Sequence, residues 1–331
     1  MSTGHHIDPN SPGPPAPPIR YLRRKEIDID RWDHCVGLAP NGLLYARSFF
    51  LDGLGDWGAL VAGEYDFIMP LPKRRKYGLP YIYVPTFAGQ LGIIGSQAIS
   101  RELTDTFILS IPASFRIADL ILNKGNPNPS LTDIEIKQRT NYILPLSDDY
   151  PVLYARYSAD AKKNLRRTRA LGLLPCTDIP VDTIIRLYRA AYADRHPQVS
   201  AAAYQSLADL FRDCIRKDKG FTLGITDPGG QLLAAAFFGM DNKRIYYILG
   251  APTPQGRAAS AVHSLIDEVI KKYAGTGIIF DFEGSDIPSV AAFYRKFNPQ
   301  AEYYGQIRLR RLPGWIRSFP LFFPRQRDPE P

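Results

Sequence analysis

A chain of 331 residues exceeds what one hydrophobic core usually accommodates, so two domains or one long composite unit are expected. Forty-five per cent apolar and 22% charged residues, with 19 Tyr and 17 Phe, exclude disorder throughout, and no apolar run is long enough for a membrane-spanning helix. Forty-one Lys and Arg against 33 Asp and Glu give a net charge of +8, which favours anionic partners such as phosphates, nucleic acid or a membrane surface without choosing among them.

Residues 1–20 hold six prolines and nothing periodic, so they bury too little surface to offset the entropy of ordering and are expected to form a disordered arm. They show no signal-peptide pattern, and a cytoplasmic location is expected. A first unit over 21–148 is expected to contain a helix at Asn41–Leu51 and strands at Trp57–Ala62, Tyr65–Leu71 and Pro80–Pro85. A helix at Arg101–Leu109 and strands at Phe115–Leu122 and Asn141–Leu146 complete it. Asn126-Pro127-Asn128-Pro129 interrupts regular structure, and Asp148-Asp149-Tyr150-Pro151 marks the boundary.

The second unit, 149–312, reads as helices at Asp160–Leu171, Val181–Asp194 and Ala202–Lys217, followed by strands at Phe221–Thr226, Gln231–Met240 and Arg244–Gly250. Asp227-Pro228-Gly229-Gly230 supplies the fixed and positive φ values of a tight hairpin. A helix from Arg257 to Tyr273, a strand at Ile278–Glu283, a helix at Pro288–Phe297 and a strand at Tyr303–Arg311 follow. Strands interleaved with helices after a three-strand meander imply α/β architecture, a mixed, mostly antiparallel sheet flanked by helices. The paired runs Tyr65–Met69 with Tyr81–Pro85, and Leu232–Phe238 with Tyr246–Leu249, echo one another and suggest a duplicated unit.

Several motifs carry chemistry or imitate it. Gly53-Leu54-Gly55-Asp56-Trp57-Gly58 has dinucleotide-fingerprint spacing, but a helix is expected before it and a strand after, the reverse of what pyrophosphate binding needs. Cys35, Cys176 and Cys214 lack C-x-x-C spacing, which fits a reducing compartment and provides neither a disulfide framework nor a zinc site; no metal is expected.

On the helix capped by Ser158, Lys162, Arg166 and Arg169 line one face and Lys163 and Arg167 the next row; this is a phosphate grip or a solvated face. Asp281 and Glu283 alternate with Phe280 and Phe282, which puts both carboxylates on one side near a strand's carboxyl end, either as general bases or with one of them paired to a nearby Arg while Ser285 or Asp286 caps the next helix. Tyr294 on the next helix is a proton donor or a core residue. His263, in an apolar stripe with Ala259, Ile266 and Ile270, reads as packed.

The basic helix, the meander, a Pro-rich loop into a helix, Phe280-Asp281-Phe282-Glu283-Gly284-Ser285 and Phe293-Tyr294-Arg295-Lys296-Phe297 together resemble the GNAT acyltransferase superfamily, specifically its Fem-like branch with two such units in tandem. Tyr157-Ser158 with Lys163-Asn164-Leu165-Arg166-Arg167 resembles that branch's signature. The resemblance implies that acyl-CoA, or aminoacyl-tRNA in the peptidoglycan branch, donates an acyl group to an amine or hydroxyl. It implies that Gln255, Gly256, Arg257, Ala258, Ala259 and Ser260 hold the pyrophosphate of coenzyme A, and that Lys162, Lys163, Arg166, Arg167 and Ser285 contact substrate. Glu283 or Asp281 then serves as base and Tyr294 as acid. Asn298 stands where the family has a glycine, as the residue next best suited to a left-handed helix end.

The leading expectation is therefore an acyl-CoA-dependent N- or O-acyltransferase acting on a small-molecule or cell-envelope precursor. Aminoacyl-tRNA-dependent transfer and a non-catalytic anion-binding or membrane-surface role are the alternatives. The tail at 313–331 continues a run of six arginines between Arg308 and Arg327 with Trp315, Phe319, Phe322 and Phe323, which suits either peripheral contact with the inner membrane face or packing back over a sheet edge.

Overall fold

The structure, a computed structural model, describes residues 18–192, 199–284 and 286–311. Ser285, His196, residues 1–17 of the expected arm and the 313–331 tail lie outside the described residues.

The chain enters through β1 (Ile19–Arg23) and α1 (Ile29–Leu38), neither expected from the sequence. Asp28 caps α1 by accepting the Arg31 N–H, and Trp32, Cys35 and Val36 turn one helical face inward. The helix expected at Asn41–Leu51 starts later, as α2 (Ser48–Leu54). Asp33 takes both the Ser48 N–H, at 2.9 Å, and the Ser48 hydroxyl, at 2.6 Å, and so pins the helix start there. Gly58 of the glycine motif lies in β2 (Trp57–Ala62), after α2, so helix precedes strand as the sequence indicated.

The first half continues with β3 (Phe67–Lys76), β4 (Leu79–Ile82), the short β5 (Ile94–Gly95), α3 (Arg101–Leu109), β6 (Ile117–Ile121) and β7 (Ile134–Pro145). β7 begins well before Asn141 because it pairs along its length with the last strand, from Ile134 opposite Leu309 to Ile143 opposite Gln300. Its early residues are mostly polar or charged, and only this long-range ladder makes them strand.

The second half opens with α4 (Tyr150–Ala155), which was not expected, then α5 (Ala159–Ala170), the edge strand β8 (Leu174–Thr177), α6 (Val181–Tyr192) and α7 (Ala201–Arg216). β9 (Gly220–Thr226) and β10 (Leu232–Met240) form the expected hairpin, with Gly230 at φ +84°. β11 (Arg244–Pro252) leads to α8 (Pro254–Ala258) and α9 (Ala261–Tyr273). The single helix expected at 257–273 is thus divided, because Ser260 is left-handed at φ 61°, ψ 30°. β12 (Ile279–Asp281), α10 (Pro288–Arg295) and β13 (Gln300–Arg310) finish the fold. Asn298 is left-handed at φ 58°, as its place after α10 required.

The strands join in the order β1-β2-β3-β4-β6-β13-β7-β12-β11-β10-β9-β8, with β5 beside β3. All pairs are antiparallel except β4 with β6 and β11 with β12. Packing crosses residue 148 in both directions. Tyr142, Leu144 and Leu146 enter the core around α9 and Phe280, whereas Ile307 and Leu309 enter the core around Phe107. A third core unites Trp32, Tyr45 and Trp57 with Phe211, Phe237 and Tyr246; Phe211 and Phe237 stack at 3.8 Å.

Candidate active site

β11 and β12 run parallel but pair only over Arg244–Tyr246 and Ile279–Asp281. β11 continues to Pro252, held by β10 on its other side, while the chain after Asp281 turns towards α10. The strands part at their carboxyl ends, where open α/β sheets gather ligands. A cavity of about 460 Å³ lies in the parting. Tyr247 to Gly250 of β11 form one wall; Glu283, Gly284, Phe293 and Tyr294 form another. Gly256, Arg257, Ser260 and His263 line it from the α8–α9 junction, and Tyr188 and Tyr192 from α6. At Ile248 the register slips by one residue against β10, a β-bulge that re-aims backbone groups in the cavity wall.

Strand alternation stops at Asp281. Glu283 is left-handed at φ 61°, a conformation non-glycine residues rarely adopt, so the two carboxylates do not share one strand face as expected but stand in different surroundings. Asp281 is 2% exposed and Glu283 lines the cavity. Two hydrogen bonds fix the turn: Glu283 N–H donates to Asp281 Oδ1 at 2.9 Å, and Gly284 N–H donates to Asn141 Oδ1 at 2.7 Å. A Cβ on Gly284 would fall on the Thr140 carbonyl, so glycine is required there.

Beneath the turn lies a buried charge network. Arg244 donates to Asp281 Oδ2 at 2.7 Å and to both Glu302 oxygens at 3.2 Å, and Lys124 meets Glu302 at 2.9 Å. Asn141 Nδ2 donates to Asp281 Oδ2 at 3.2 Å. Burial pushes the Asp281 carboxyl up against the opposing pull of Arg244; at Glu302 the two cations outweigh burial and hold the carboxyl below its usual range. Glu283 makes no ion pair among the described residues, and Arg244 pulls on it only weakly. Burial first, then the neighbouring Asp281 charge, raise its carboxyl well above the ordinary value. The first half of the chain also reaches it. The Tyr45 hydroxyl lies against the Glu283 carboxylate without forming a hydrogen bond of regular geometry. A Cβ at Gly89 would stand 2.7 Å from Glu283 Oε2, so this glycine lets its loop close onto the carboxylate.

Tyr294 is 9% exposed, and burial followed by the Glu283 charge raises its phenol, which keeps it protonated. His263 is packed, as expected, edge-on to Phe293 at 4.9 Å, and also lines the cavity. Burial, then Lys296, lower it to about 4, so it is neutral near pH 7. Its Nε2 lies 3.3 Å from Asn164 Nδ2, and Ser260 Oγ donates to Asn164 Oδ1 at 3.1 Å. Asn164, within the segment that resembles the Fem-like signature, thereby ties α5 to the start of α9, a role its place in the sequence did not reveal.

The structure brings together Glu283, Tyr294, Gly256, Arg257 and Ser260 around one cavity and places Asp281 directly below. Gln255, Ala258 and Ala259 do not line it, nor do Lys162, Lys163, Arg166 and Arg167. The expected pyrophosphate cradle is already internally bonded: Gly256 N–H donates to Thr253 Oγ1, Arg257 N–H to Thr253 O, Ala259 N–H to Gln255 O and Ser260 N–H to Arg257 O. Gly256 lacks a Cβ because one would fall on the Leu233 carbonyl, a packing requirement of α8 on β10. On α5, Arg166 and Arg167 are exposed and make no ion pair among the described residues, whereas Lys162 donates to the Ala155 carbonyl at 2.6 Å. Tyr45, Gly89, Tyr188 and Tyr192 escaped the sequence reading, since none carries a local motif.

The profile of the GNAT acetyltransferase domain matches residues 155–289, a span holding Glu283, the β11 bulge and the α8–α9 junction. This segment is similar to the GNAT acetyltransferase domain, and the described fold resembles that of FemX and related solved structures. FemX superposes with a TM-score of 0.62 at 12% identity, over 86% of this chain and 96% of that one. A conserved protein of unknown function from Bacteroides thetaiotaomicron gives 0.56 at 10% identity, over 85% and 97%. The C-terminal domain assigned to a lysylphosphatidylglycerol synthetase of Agrobacterium fabrum gives 0.51 at 11% identity, over 85% and 91%. No protein of curated function matches the chain.

Proposed function

We propose that this protein is an acyltransferase in which an acceptor amine or hydroxyl attacks the carbonyl of an activated acyl donor directly, within the parting between β11 and β12. The observation that supports this reading is Glu283: a carboxylate with a raised proton affinity, held in the cavity wall by a left-handed turn and facing Tyr294. Glu283 takes the proton of the attacking group as the new bond to the carbonyl carbon forms. Tyr294, kept protonated by burial, gives a proton to the departing group as its bond to that carbon breaks. Backbone N–H groups near the Ile248 bulge are suited to the developing oxyanion. Asp281 acts one step removed, by holding the Glu283 N–H.

A coenzyme A thioester is the donor in this reading, with its pantetheine arm along the unpaired edge of β11 and its phosphates near Arg257 and Ser260. Two tandem units, 21–148 and 149–312, belong to the same proposal, the second carrying the chemistry. The acceptor class is a small molecule or a cell-envelope precursor. A second reading, aminoacyl-tRNA as donor, is favoured by the internally bonded N–H groups of Gly256, Arg257, Ala259 and Ser260, and by the exposed Arg166 and Arg167. Calorimetric titration with coenzyme A, beside a tRNA gel-shift, separates the two. Micromolar coenzyme A binding lost in Arg257→Glu supports the thioester donor. Binding of tRNA alone, weakened in Arg166→Glu, supports the second reading. Absence of both overturns the transferase assignment.

A further inference from the structure

β3 and β4 form a hairpin that carries Lys73, Arg74, Arg75 and Lys76 into a two-residue turn, Tyr77-Gly78, with Lys76 opposite Leu79. Both turn residues have positive φ, 51° and 78°, the signature of a type I′ turn. Such turns favour Asn, Asp or Gly first, and a tyrosine there is strained. The strain is not offset by burial, since Tyr77 is 74% exposed, and Leu79 beside it is 52% exposed. An aromatic and an aliphatic side chain are therefore presented outward from a tip whose last strand residues are cationic, with Lys76 Nζ 5.4 Å from the Tyr77 ring centroid. Arg74 and Arg75 are exposed, Arg74 with its guanidinium 4.2 Å from the Tyr83 ring centroid.

The topology adds a second element. β6 lies beside β4 and parallel to it, with Ile82 opposite Ala118, so both strands begin at the end of the sheet that carries the hairpin tip. Exposed Arg116 immediately precedes β6, and its carbonyl accepts the N–H of Arg311 at 2.8 Å. Arg311, the last described residue, therefore lies at this same end, with β6 between β13 and the hairpin. By sequence the chain goes on with Trp315, Arg317, Phe319, Phe322, Phe323, Arg325 and Arg327.

From these observations we infer that the β3–β4 tip is a docking surface for an anionic lipid bilayer, with Tyr77 and Leu79 entering the headgroup region and Arg74, Arg75 and Arg116 meeting lipid phosphates. Charge complementarity selects an anionic surface. The outward aliphatic Leu79 selects a bilayer over a nucleic acid, which offers it nothing to bury against. The surface stands on the hairpin and the neighbouring Arg116 alone and does not depend on the acyltransferase reading.

The test is co-sedimentation of the full chain with vesicles of phosphatidylglycerol and phosphatidylcholine, against vesicles of phosphatidylcholine alone. Binding is expected only to the anionic vesicles and falls with salt. Tyr77→Asn with Leu79→Ser lowers the partition coefficient about tenfold or more, as removal of two interfacial apolar groups requires. Tyr77→Asn by itself eases the left-handed turn and raises the thermal midpoint while weakening binding, so weakened binding there is not unfolding. A chain stopped after Arg311 keeps the Tyr77 dependence. Equal binding by the wild type and the double variant, no binding to anionic vesicles, RNA binding in place of vesicle binding, or complete loss on truncation would each overturn the hairpin's role.

Discussion

Arg244 donates to Asp281 Oδ2 at 2.7 Å in a setting where neither side chain is more than 14% exposed, and this pair supports the turn that carries Glu283. The same guanidinium serves Glu302, so one cation from β11 joins β12 to β13 across β7. Breaking a buried pair leaves uncompensated charge, whereas removing both members does not. Arg244→Met is expected to lower unfolding free energy by about 3–5 kcal/mol, and Arg244→Met with Asp281→Asn by less than the sum of the two single changes. Urea denaturation of the four proteins in the cycle measures this.

Glu283 sets a pH dependence of both rate and stability. Its folded proton affinity is raised, so the folded state holds a proton that the unfolded chain has released, and stability declines as pH rises from the ordinary value of 4.5 through the raised one. Activity should move the other way, rising over the upper part of that window as the base ionises. Glu283→Gln should lower turnover about 100- to 10,000-fold. It should also flatten the decline in stability, measured as urea midpoints from pH 4.5 to 8. A variant with wild-type turnover removes Glu283 from the chemistry.

His263 acts with the opposite sign. Its folded value of about 4 lies below the ordinary 6.5, so the unfolded chain binds the extra proton, and stability present above pH 6.5 is lost as pH falls towards 4. Lys296 opposes protonation and Asp160 favours it, and burial exceeds both. The shift corresponds to about 3 kcal/mol. His263→Gln should reduce the acid loss between pH 6.5 and 4, read from thermal midpoints, without changing the slope above pH 7.

Gly256 joins α8 to β10 by close approach. Gly256→Ala would press a methyl group onto the Leu233 carbonyl and should cost about 1–3 kcal/mol, the range for overpacking a tight site. Ala258→Ser, on an exposed position of the same short helix, should stay within about 0.5 kcal/mol. Guanidinium denaturation distinguishes the two; equal effects would mean that α8 yields freely.

Elements whose own residues bury their periodic face were legible from sequence alone. α3 occupies the expected residues, Arg101–Leu109, because Ser100 caps it and Thr104, Phe107 and Ile108 bury one stripe. β2 and the β9–β10 hairpin were readable for the same local reasons: a fully apolar run, and a turn whose glycines supply positive φ. The Phe280–Gly284 run and Tyr294 were visible as candidates because a strand end followed by a helix is a local pattern. Elements stabilised by distant partners were not legible. β7 reaches back to Ile134 only because β13 lies beside it, and α2 starts where Asp33 holds Ser48. The division of labour between the carboxylates was equally hidden. Asp281 and Glu283 have the same acidic chemistry and adjacent places in the chain. Arg244 and Asn141, supplied from other strands, bury one as a paired charge, while the left-handed turn leaves the other in the cavity with its proton affinity raised. Proton affinity depends on burial and on charges brought within a few ångströms, and those distances exist only once β7, β11, β12 and β13 have closed into one sheet.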